Sequence, residues 1–193
     1  MPGSTPFGPP AVEGPPPPVG AVELYLGLKA GGVDFAVYLP DGTLPPVERL
    51  VRADPEIQTV QCAREDEGIA ICCGAFYGGV PSAMLMANSG FMLTPYTVAT
   101  LAMFHRIPLL MLISHRGTLG ERAQFQEYQG LLTEPILRAM GITAYTIDRR
   151  ERLPMITEAL RYTRIFKRPI ALLLEGELHR PMTPIFLDSV APG

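Results

Sequence analysis

The sequence lacks long apolar runs, although it has 193 residues and is 47% hydrophobic. No stretch approaches the ~20 apolar residues that a membrane-spanning helix needs, because Pro81, Asn88 and Pro108 interrupt the most hydrophobic region. The N-terminus also lacks the basic start and apolar segment of a secretory signal. We therefore expect a cytoplasmic protein without a membrane-spanning helix.

Cysteine is scarce, and no region is strongly basic. Cys62, Cys72 and Cys73 lie too close together, and in the wrong pattern, for a disulfide framework or a zinc ribbon. They are predicted to be small buried apolar residues. The formal net charge of −3 is close to balance, and no basic stripe with interleaved aromatic residues is present. Nucleic acid is therefore not an expected partner.

Proline is concentrated in residues 1–20, which contain few groups that could build a core. We interpret this segment as a flexible or polyproline-like tail. The remaining length suffices for one domain with a substantial core and is too short for two domains of ordinary size. The predicted organisation is a Pro-rich tail over 1–20, one α/β domain over 21–178 and a C-terminal tail over 179–193.

Short apolar runs alternate with amphipathic stretches of helical length after the tail, which is typical of a parallel sheet with crossover helices. The six predicted strands are Val33–Leu39, Ile57–Cys62, Ser82–Ala87, Pro108–Ile113, Ile142–Ile147 and Pro169–Leu174. The predicted helices are Ala21–Ala30, Leu44–Ala53, Glu65–Tyr77, Thr94–His105, Glu121–Met140 (unbroken, or broken near Gly130) and Arg152–Phe166. This order predicts an α/β fold with a doubly wound six-stranded parallel sheet and helices on both faces.

Four segments that follow predicted strands are rich in polar and charged residues. They are Pro40-Asp41-Gly42-Thr43, Arg64-Glu65-Asp66-Glu67-Gly68, Asn88-Ser89-Gly90 and Ser114-His115-Arg116-Gly117. Ligand sites of doubly wound sheets lie beyond the carboxyl ends of the strands. We therefore expect these side chains to converge on one edge of the sheet.

Glu65 opens a helix with an acidic first turn, which continues in glycine, alanine and cysteine as far as Ala75. Acidic residues in a first turn complement the helix dipole, and this structural explanation of them is as good as a functional one. It does not explain the small residues that follow. A helix face without bulky side chains permits close approach by a neighbouring backbone, a second subunit or a flat ligand.

The stretch Glu65–Gly74, followed by an aromatic residue at Phe76, resembles the glutamate-bearing helix of thiamine-diphosphate enzymes. The other loops extend the match. Gly32-Val33-Asp34-Phe35 leading into Pro40-Asp41, then Asn88-Ser89-Gly90, then Ser114-His115-Arg116-Gly117 with Gly120-Glu121, resemble the alpha subunit of sulfopyruvate decarboxylase and the N-terminal half of phosphonopyruvate decarboxylase. The resemblance runs from about Ala21 to Glu177 and implies the fold of a pyrimidine-binding (PYR) domain.

The sequence departs from the family pattern at three places. Asp41 precedes Gly42 where the family usually has cysteine or aspartate followed by serine, and Phe91, Met92 and Leu93 stand where smaller or polar residues are common. The Asp-Glu-Pro-Gln-His run of the phosphonopyruvate enzymes is missing after Gly117. This last difference favours the sulfopyruvate branch, and a shifted substrate stays open as an alternative.

The resemblance implies roles for several residues. Glu65 would be the catalytic carboxylate that activates the cofactor, and Pro40, Asp41 and Asn88 would also bind the cofactor. Asn88, Ser89 and Arg116 would bind the substrate.

Arg116 could pair with a sulfonate or phosphonate, or it could form an ordinary ion pair within the protein. His115 is a candidate for proton transfer, although a loop or interface histidine would need no such role.

The diphosphate-binding half of these enzymes carries Gly-Asp-Gly and a later asparagine, which hold a divalent metal. This sequence contains no Gly-Asp-Gly. The resemblance therefore implies that thiamine diphosphate is shared with a beta subunit that carries Gly-Asp-Gly and asparagine and holds Mg²⁺, in a hetero-oligomer of alpha and beta chains.

We expect a lyase subunit that decarboxylates 3-sulfopyruvate. Three alternatives remain: phosphonopyruvate decarboxylation, another thiamine-dependent decarboxylation or carboligation, and a non-catalytic α/β binding or scaffold module.

Overall fold

The computed structural model describes residues 8–121 and 123–176. The six strands are β1 (Phe35–Tyr38), β2 (Gln58–Gln61), β3 (Ser82–Ala87), β4 (Leu109–Ser114), β5 (Thr143–Ile147) and β6 (Pro169–Leu174). They form one sheet in the order β2-β1-β3-β4-β6-β5, and every neighbouring pair is parallel. The predicted six-stranded parallel sheet is confirmed.

Seven α-helical segments accompany the strands in the part of the chain that the structure describes. They are α1 (Val19–Ala30), α2 (Pro45–Ala53), α3 (Glu65–Tyr77), α4 (Asn88–Phe91), α5 (Pro95–Thr97), α6 (Glu127–Ala139) and α7 (Met155–Phe166). A π-helical segment over Val98–Met103 continues α5, and short 3-10 turns lie at Gln124–Gln126 and Arg150–Arg152. None of these helices is long and apolar enough to cross a membrane.

Two apolar layers cover the two faces of the sheet. One contains the buried residues of α1, α2 and α7 together with Ala83, Leu85, Leu110 and Leu112 of the central strands. The other contains those of α3, the π-helical segment and α6 together with Met84, Met86, Met111 and Ile113. Alternate residues of each strand thus enter opposite layers. The central strands β4 and β6 are buried along their whole length, as expected of a sheet covered on both faces.

The predicted helix Thr94–His105 was wrong in type. The chain enters it at Pro95 and then widens into the π-helical segment. Within it the Thr100 hydroxyl donates to the Tyr96 carbonyl at 2.8 Å, and such a bond competes with the regular helical ladder. The preceding Asn88-Ser89-Gly90, predicted as a loop, instead forms the single turn α4.

The predicted helix Glu121–Met140 starts six residues late. Gly117 and Gly120 have φ values of +80° and +91°, a conformation that stops helical winding before Glu121. The Glu121 carboxylate then accepts a hydrogen bond from the backbone N–H of Ala123 at 3.0 Å. From Glu127 onward α6 is continuous through Gly130, so the alternative with a break there is also wrong.

Part of the predicted tail contacts the domain. Val12 packs against the layer of α1, α2 and α7, and Arg49 donates to the Glu13 carbonyl at 2.7 Å. Residues 1–7 and the predicted tail 179–193 lie outside the described residues. The domain limits at 20 and 178 stay predictions.

Candidate active site

The four predicted loops follow neighbouring strand ends, because β1, β3 and β4 are adjacent and β2 flanks β1. Side-chain contacts join them. The Ser114 hydroxyl donates to the Asp41 carboxylate, linking the ends of β4 and β1. The Asn88 amide donates to the Arg116 carbonyl at 2.9 Å, linking the end of β3 to the loop after β4. We call this region, at the carboxyl ends of the strands, the carboxyl edge.

Glu65 is the first residue of α3, and only 7% of it is exposed. Its side chain lies directly against Gly90 of α4: a Cβ built on Gly90 would stand 1.9 Å from Glu65 Oε1. Glycine is therefore required at position 90 for this placement of the carboxylate. Glu65 makes no hydrogen bond or ion pair with any residue that the structure describes. Its carboxylate oxygens are therefore available as hydrogen-bond acceptors for another molecule.

Asp41 organises the loop between β1 and α2. Its Oδ1 accepts from the backbone N–H groups of Thr43 at 2.6 Å and Leu44 at 2.7 Å, and its Oδ2 accepts from the Thr43 hydroxyl at 3.0 Å. With Ser114 added, most of its acceptor capacity is used within the protein. Pro40, the residue before it, is exposed. Asp41 therefore holds the loop in place, while contact of either residue with a cofactor stays a prediction.

Glu48 of α2 was not predicted, yet it is buried close to Asp41. Its Oε1 has no hydrogen-bond partner within the described residues. Burial raises the pKa of Glu48 to about 8, and the negative charge of Asp41 adds to the shift. Glu48 is consequently protonated across much of the neutral range.

Asn88 is fully buried, and its amide nitrogen is engaged within the protein. Besides the Arg116 carbonyl, it donates to the Thr133 hydroxyl of α6 at 3.3 Å. Its Oδ1 is buried and has no partner in the described part of the chain. Ser89, in contrast, is exposed. Asn88 thus links α4 to the loop after β4 and to α6, and its side-chain oxygen can still accept a hydrogen bond.

Arg116 forms a two-point ion pair with Glu121. Its Nε donates to Glu121 Oε2 at 2.5 Å, and its Nη2 donates to Oε1 at 2.9 Å. The Glu121 carboxylate raises the pKa of Arg116, so the guanidinium stays charged. The ordinary ion pair considered for Arg116 is therefore present. A substrate anion would have to replace Glu121 or join the pair.

The loop after β4 packs against α6 through two glycines. A Cβ built on Gly117 would lie 2.0 Å from the Gln126 carbonyl oxygen, and one built on Gly130 would lie 2.1 Å from the Gly117 carbonyl oxygen. Neither position has room for a side chain. This contact fixes the backbone on which His115 and Arg116 stand.

His115 is only 2% exposed and pairs with Glu175, which follows β6. The distance from His115 Nδ1 to Glu175 Oε1 is 2.8 Å. The other ring nitrogen, Nε2, is buried without a partner among the described residues. His115, the predicted candidate for proton transfer, thus has Nδ1 paired with a carboxylate, whereas Nε2 can still form a hydrogen bond.

The side chains at this edge fit an aminopyrimidine better than a diphosphate. Glu65 offers a buried carboxylate with unused acceptor capacity, and Gly90 keeps bulk away from it. The nearby charged groups Asp41 and Arg116 are engaged inside the protein. The fit of this edge to an aminopyrimidine therefore depends on Glu65.

Sequence reasoning missed Glu48 and Glu175, and it quoted Glu121 in a motif without assigning it a role. Glu175 follows β6, so inspection of every strand end, rather than four of them, would have found it. Glu48 sits in the first turn of α2, where an acid needs no functional explanation. The three cysteines are buried as predicted, and burial raises the pKa of the Cys73 thiol to about 11.

Solved structures identify the class of this fold. The thiamine diphosphate-dependent 4-hydroxybenzoylformate decarboxylase of Rhodococcus jostii superimposes with a TM-score of 0.62 at 14% identity, over 86% of this chain and 32% of that chain. The 2-oxoglutarate:ferredoxin oxidoreductase of Magnetococcus marinus gives a TM-score of 0.62 at 19% identity, over 83% and 29%. The chain has the fold of a thiamine-diphosphate enzyme domain and spans about a third of those chains.

Comparison with sequence relatives identifies the family of the chain, although no protein-family model matches it. Sulfopyruvate decarboxylase subunit alpha of Methanothermobacter thermautotrophicus is 36% identical over 156 residues, which is 79% of this chain and 93% of that protein. Its counterpart in Methanococcus maripaludis is 33% identical over 79% of this chain and 92% of that protein. Phosphonopyruvate decarboxylase of Streptomyces viridochromogenes is 31% identical over 62% of this chain and 30% of that protein. The chain belongs to the sulfopyruvate decarboxylase alpha subunit family, and the resemblance read from the sequence is confirmed.

Glu48→Gln should remove a pH-dependent loss of stability. The folded state raises the pKa of Glu48 from 4.5 to about 8, so it binds the proton more tightly than the unfolded chain does. Wild-type stability should therefore be intact below about pH 4.5 and decline as the pH rises toward about 8. The amide has no proton to lose, so the variant should be more stable than wild type by on the order of 2 to 4 kcal/mol at about pH 9.

Urea unfolding of both proteins at about pH 5 and about pH 9 measures this difference. A gap between the two proteins that stays the same at both pH values would mean that folding does not shift the titration of Glu48.

Proposed function

We propose that this chain is the alpha, pyrimidine-binding subunit of a thiamine-diphosphate-dependent lyase that converts 3-sulfopyruvate to sulfoacetaldehyde and carbon dioxide. The observation that carries the proposal is the Glu65 carboxylate, buried at the carboxyl edge without a partner in the described chain and seated against Gly90. Membership of the sulfopyruvate decarboxylase alpha subunit family supports the substrate.

Glu65 would hold the cofactor's aminopyrimidine ring by sharing a proton with a ring nitrogen. When bound, thiamine diphosphate supplies the sink for the electron pair that carbon dioxide leaves behind. The protein's part is to orient and to exclude water. The low exposure of Glu65 limits contact of its side chain with water, and Gly90 leaves the carboxylate room to face the ring. Pro40, Asp41 and Asn88 would complete the wall of this subsite.

A beta subunit would complete the cofactor site. The sequence has no Gly-Asp-Gly, so Mg²⁺ and the diphosphate would be held by a partner chain that carries Gly-Asp-Gly and a later asparagine. The relatives' designation as a subunit alpha supports such a partner. The assembly would be a hetero-oligomer of alpha and beta chains, and its cytoplasmic location stays a prediction.

The sulfonate of the substrate would be bound by Arg116, with Ser89 and the Asn88 oxygen nearby at the same edge. Arg116 is the best candidate because its guanidinium is charged and already paired with a carboxylate in two-point geometry. A sulfonate or a phosphonate can accept the same two hydrogen bonds. Phosphonopyruvate is therefore the second candidate substrate, which the more distant relative from Streptomyces viridochromogenes supports.

Glu65→Gln should abolish decarboxylation in the assembled enzyme without preventing assembly. The amide cannot share the pyrimidine proton, and loss of proton transfer lowers rates by about 10²- to 10⁴-fold. Steady-state turnover and exchange of the cofactor's thiazolium proton with solvent are the measurements. Asp66→Asn is the matched control, since Asp66 lies in the same helical turn and forms an ion pair with Arg64. Turnover of Glu65→Gln within a few-fold of wild type would remove Glu65 from the mechanism.

Gly90→Ala should reduce turnover by displacing Glu65 while leaving the fold intact. The added Cβ meets the end of a flexible side chain, so the carboxylate moves rather than the backbone. A shift of about 1 Å costs on the order of a hundredfold in rate, whereas stability should change by less than about 1 kcal/mol.

The double variant Glu65→Gln with Gly90→Ala tests whether the two residues act together. If Gly90 acts through Glu65, the double variant should be no slower than Glu65→Gln alone. Strictly additive losses would mean that Gly90 serves another purpose.

Arg116→Ala should weaken use of sulfopyruvate in particular. A partly buried, charge-assisted hydrogen bond contributes about 1.5 to 3 kcal/mol, so kcat/KM for sulfopyruvate should fall by about ten- to a hundredfold. The poor rate with pyruvate should barely change. Glu121→Gln is the companion variant, because it removes the competing charge and should keep sulfopyruvate selectivity. An equal loss on both substrates would mark the Arg116–Glu121 pair as structural.

A further inference from the structure

Glu175 and His115 form a pair whose geometry is fixed by the sheet. His115 follows the last residue of β4, and Glu175 follows the last residue of β6, the neighbouring strand. The backbone N–H of His115 donates to the Leu174 carbonyl at 2.8 Å, and that of Glu175 donates to the Ile147 carbonyl at 3.0 Å. The 2.8 Å contact from His115 Nδ1 to Glu175 Oε1 therefore joins two residues whose backbones are already held in register.

This contact determines which ring nitrogen carries the proton. A neutral imidazole has one N–H donor and one acceptor, and an ionised carboxylate only accepts. A hydrogen bond to Glu175 consequently requires the proton on Nδ1. Nε2 is then the nitrogen with a lone pair, and it is buried without a hydrogen-bond partner among the described residues.

The proposed reaction gives this arrangement a use. Decarboxylation replaces the bond from carbon to the departing carboxylate with a bond to hydrogen, so each turnover must deliver one proton. A histidine that takes a proton from water at Nε2 becomes a cation, and it returns to the neutral form when Nε2 gives that proton to the carbon that has lost carbon dioxide. Throughout this cycle the Nδ1 proton stays hydrogen-bonded to Glu175, whose negative charge stabilises the cation.

We propose that Glu175 is a positioning residue, which holds His115 with its proton on Nδ1 and leaves Nε2 free to exchange the proton that decarboxylation requires. The catalytic part of this inference rests on the proposed function, while the tautomer can be observed without it. A pair that only fastened β4 to β6 would need the same proton on Nδ1, but its loss would leave kcat unchanged.

Nitrogen NMR of the chain labelled with ¹⁵N-histidine tests the tautomer directly. The sequence contains three histidines, so the His115→Gln variant suffices to assign the His115 signals. In its neutral form, wild-type His115 should show a protonated Nδ1 and an unprotonated Nε2. The amide of Glu175→Gln can both donate to and accept from Nδ1, so it no longer selects one tautomer, and a signal from protonated Nε2 should appear. Glu175→Asp retains a carboxylate and should restore the wild-type form.

Turnover of the assembled enzyme tests the consequence. Glu175→Gln should lower kcat for sulfopyruvate by at least about tenfold, since misplaced acid–base groups forfeit part of a 10²- to 10⁴-fold effect, with KM within about threefold of wild type. Glu158→Gln, at an exposed acid of α7 paired with Arg161, should change neither the NMR spectrum nor kcat.

The outcomes separate the two proposals. A proton on Nε2 in the wild type would overturn the positioning role whatever the enzyme does. A changed tautomer with unchanged kcat would overturn its part in catalysis. A wild-type assembly that fails to decarboxylate sulfopyruvate would instead overturn the proposed function, and the spectra would still decide the position of the proton.

Discussion

The contact between the Glu65 carboxylate and the Gly90 backbone links the start of α3 to the turn that follows β3. It can exist only because position 90 has no side chain and because α3 packs across β1 and β3. Much of the carboxyl edge is arranged around this contact. Asn88, two residues before Gly90, ties the same turn to the β4 loop and to α6, while Ser114 ties β4 back to Asp41. These contacts connect the loops that surround Glu65.

The sheet could be predicted from the sequence because parallel strands covered on both faces appear as short, continuous apolar runs. Residues 82–87 and 169–174 were assigned with the bounds that the structure gives. The type of the helix after Pro95 and the first residue of α6 were less predictable. The π-helical winding after Pro95 and the late start of α6 depend on a side chain bonding the backbone and on glycines with positive φ. Neither changes the spacing of apolar residues along the sequence.

The convergence of the polar loops could also be predicted, since parallel strands place their carboxyl ends together. The side-chain pairs within the carboxyl edge could not be predicted. Arg116 and Glu121 are five residues apart in a loop, and His115 and Glu175 are 60 residues apart in sequence. Only the three-dimensional structure shows that Arg116 and His115 already have acidic partners. It shows likewise that Asp41 accepts hydrogen bonds from its own loop and from Ser114, which a motif comparison cannot reveal.

Gly117 and Gly130 lie in backbone contact, so neither position can accept a side chain while the other keeps its place. Because each backbone fills the space that the other's side chain would need, a mutation at either position cannot be rescued by a smaller neighbour: both are already glycine. The β4 loop and the start of α6 are therefore in direct backbone contact, and the position of α6 limits where the loop that carries Arg116 and His115 can lie.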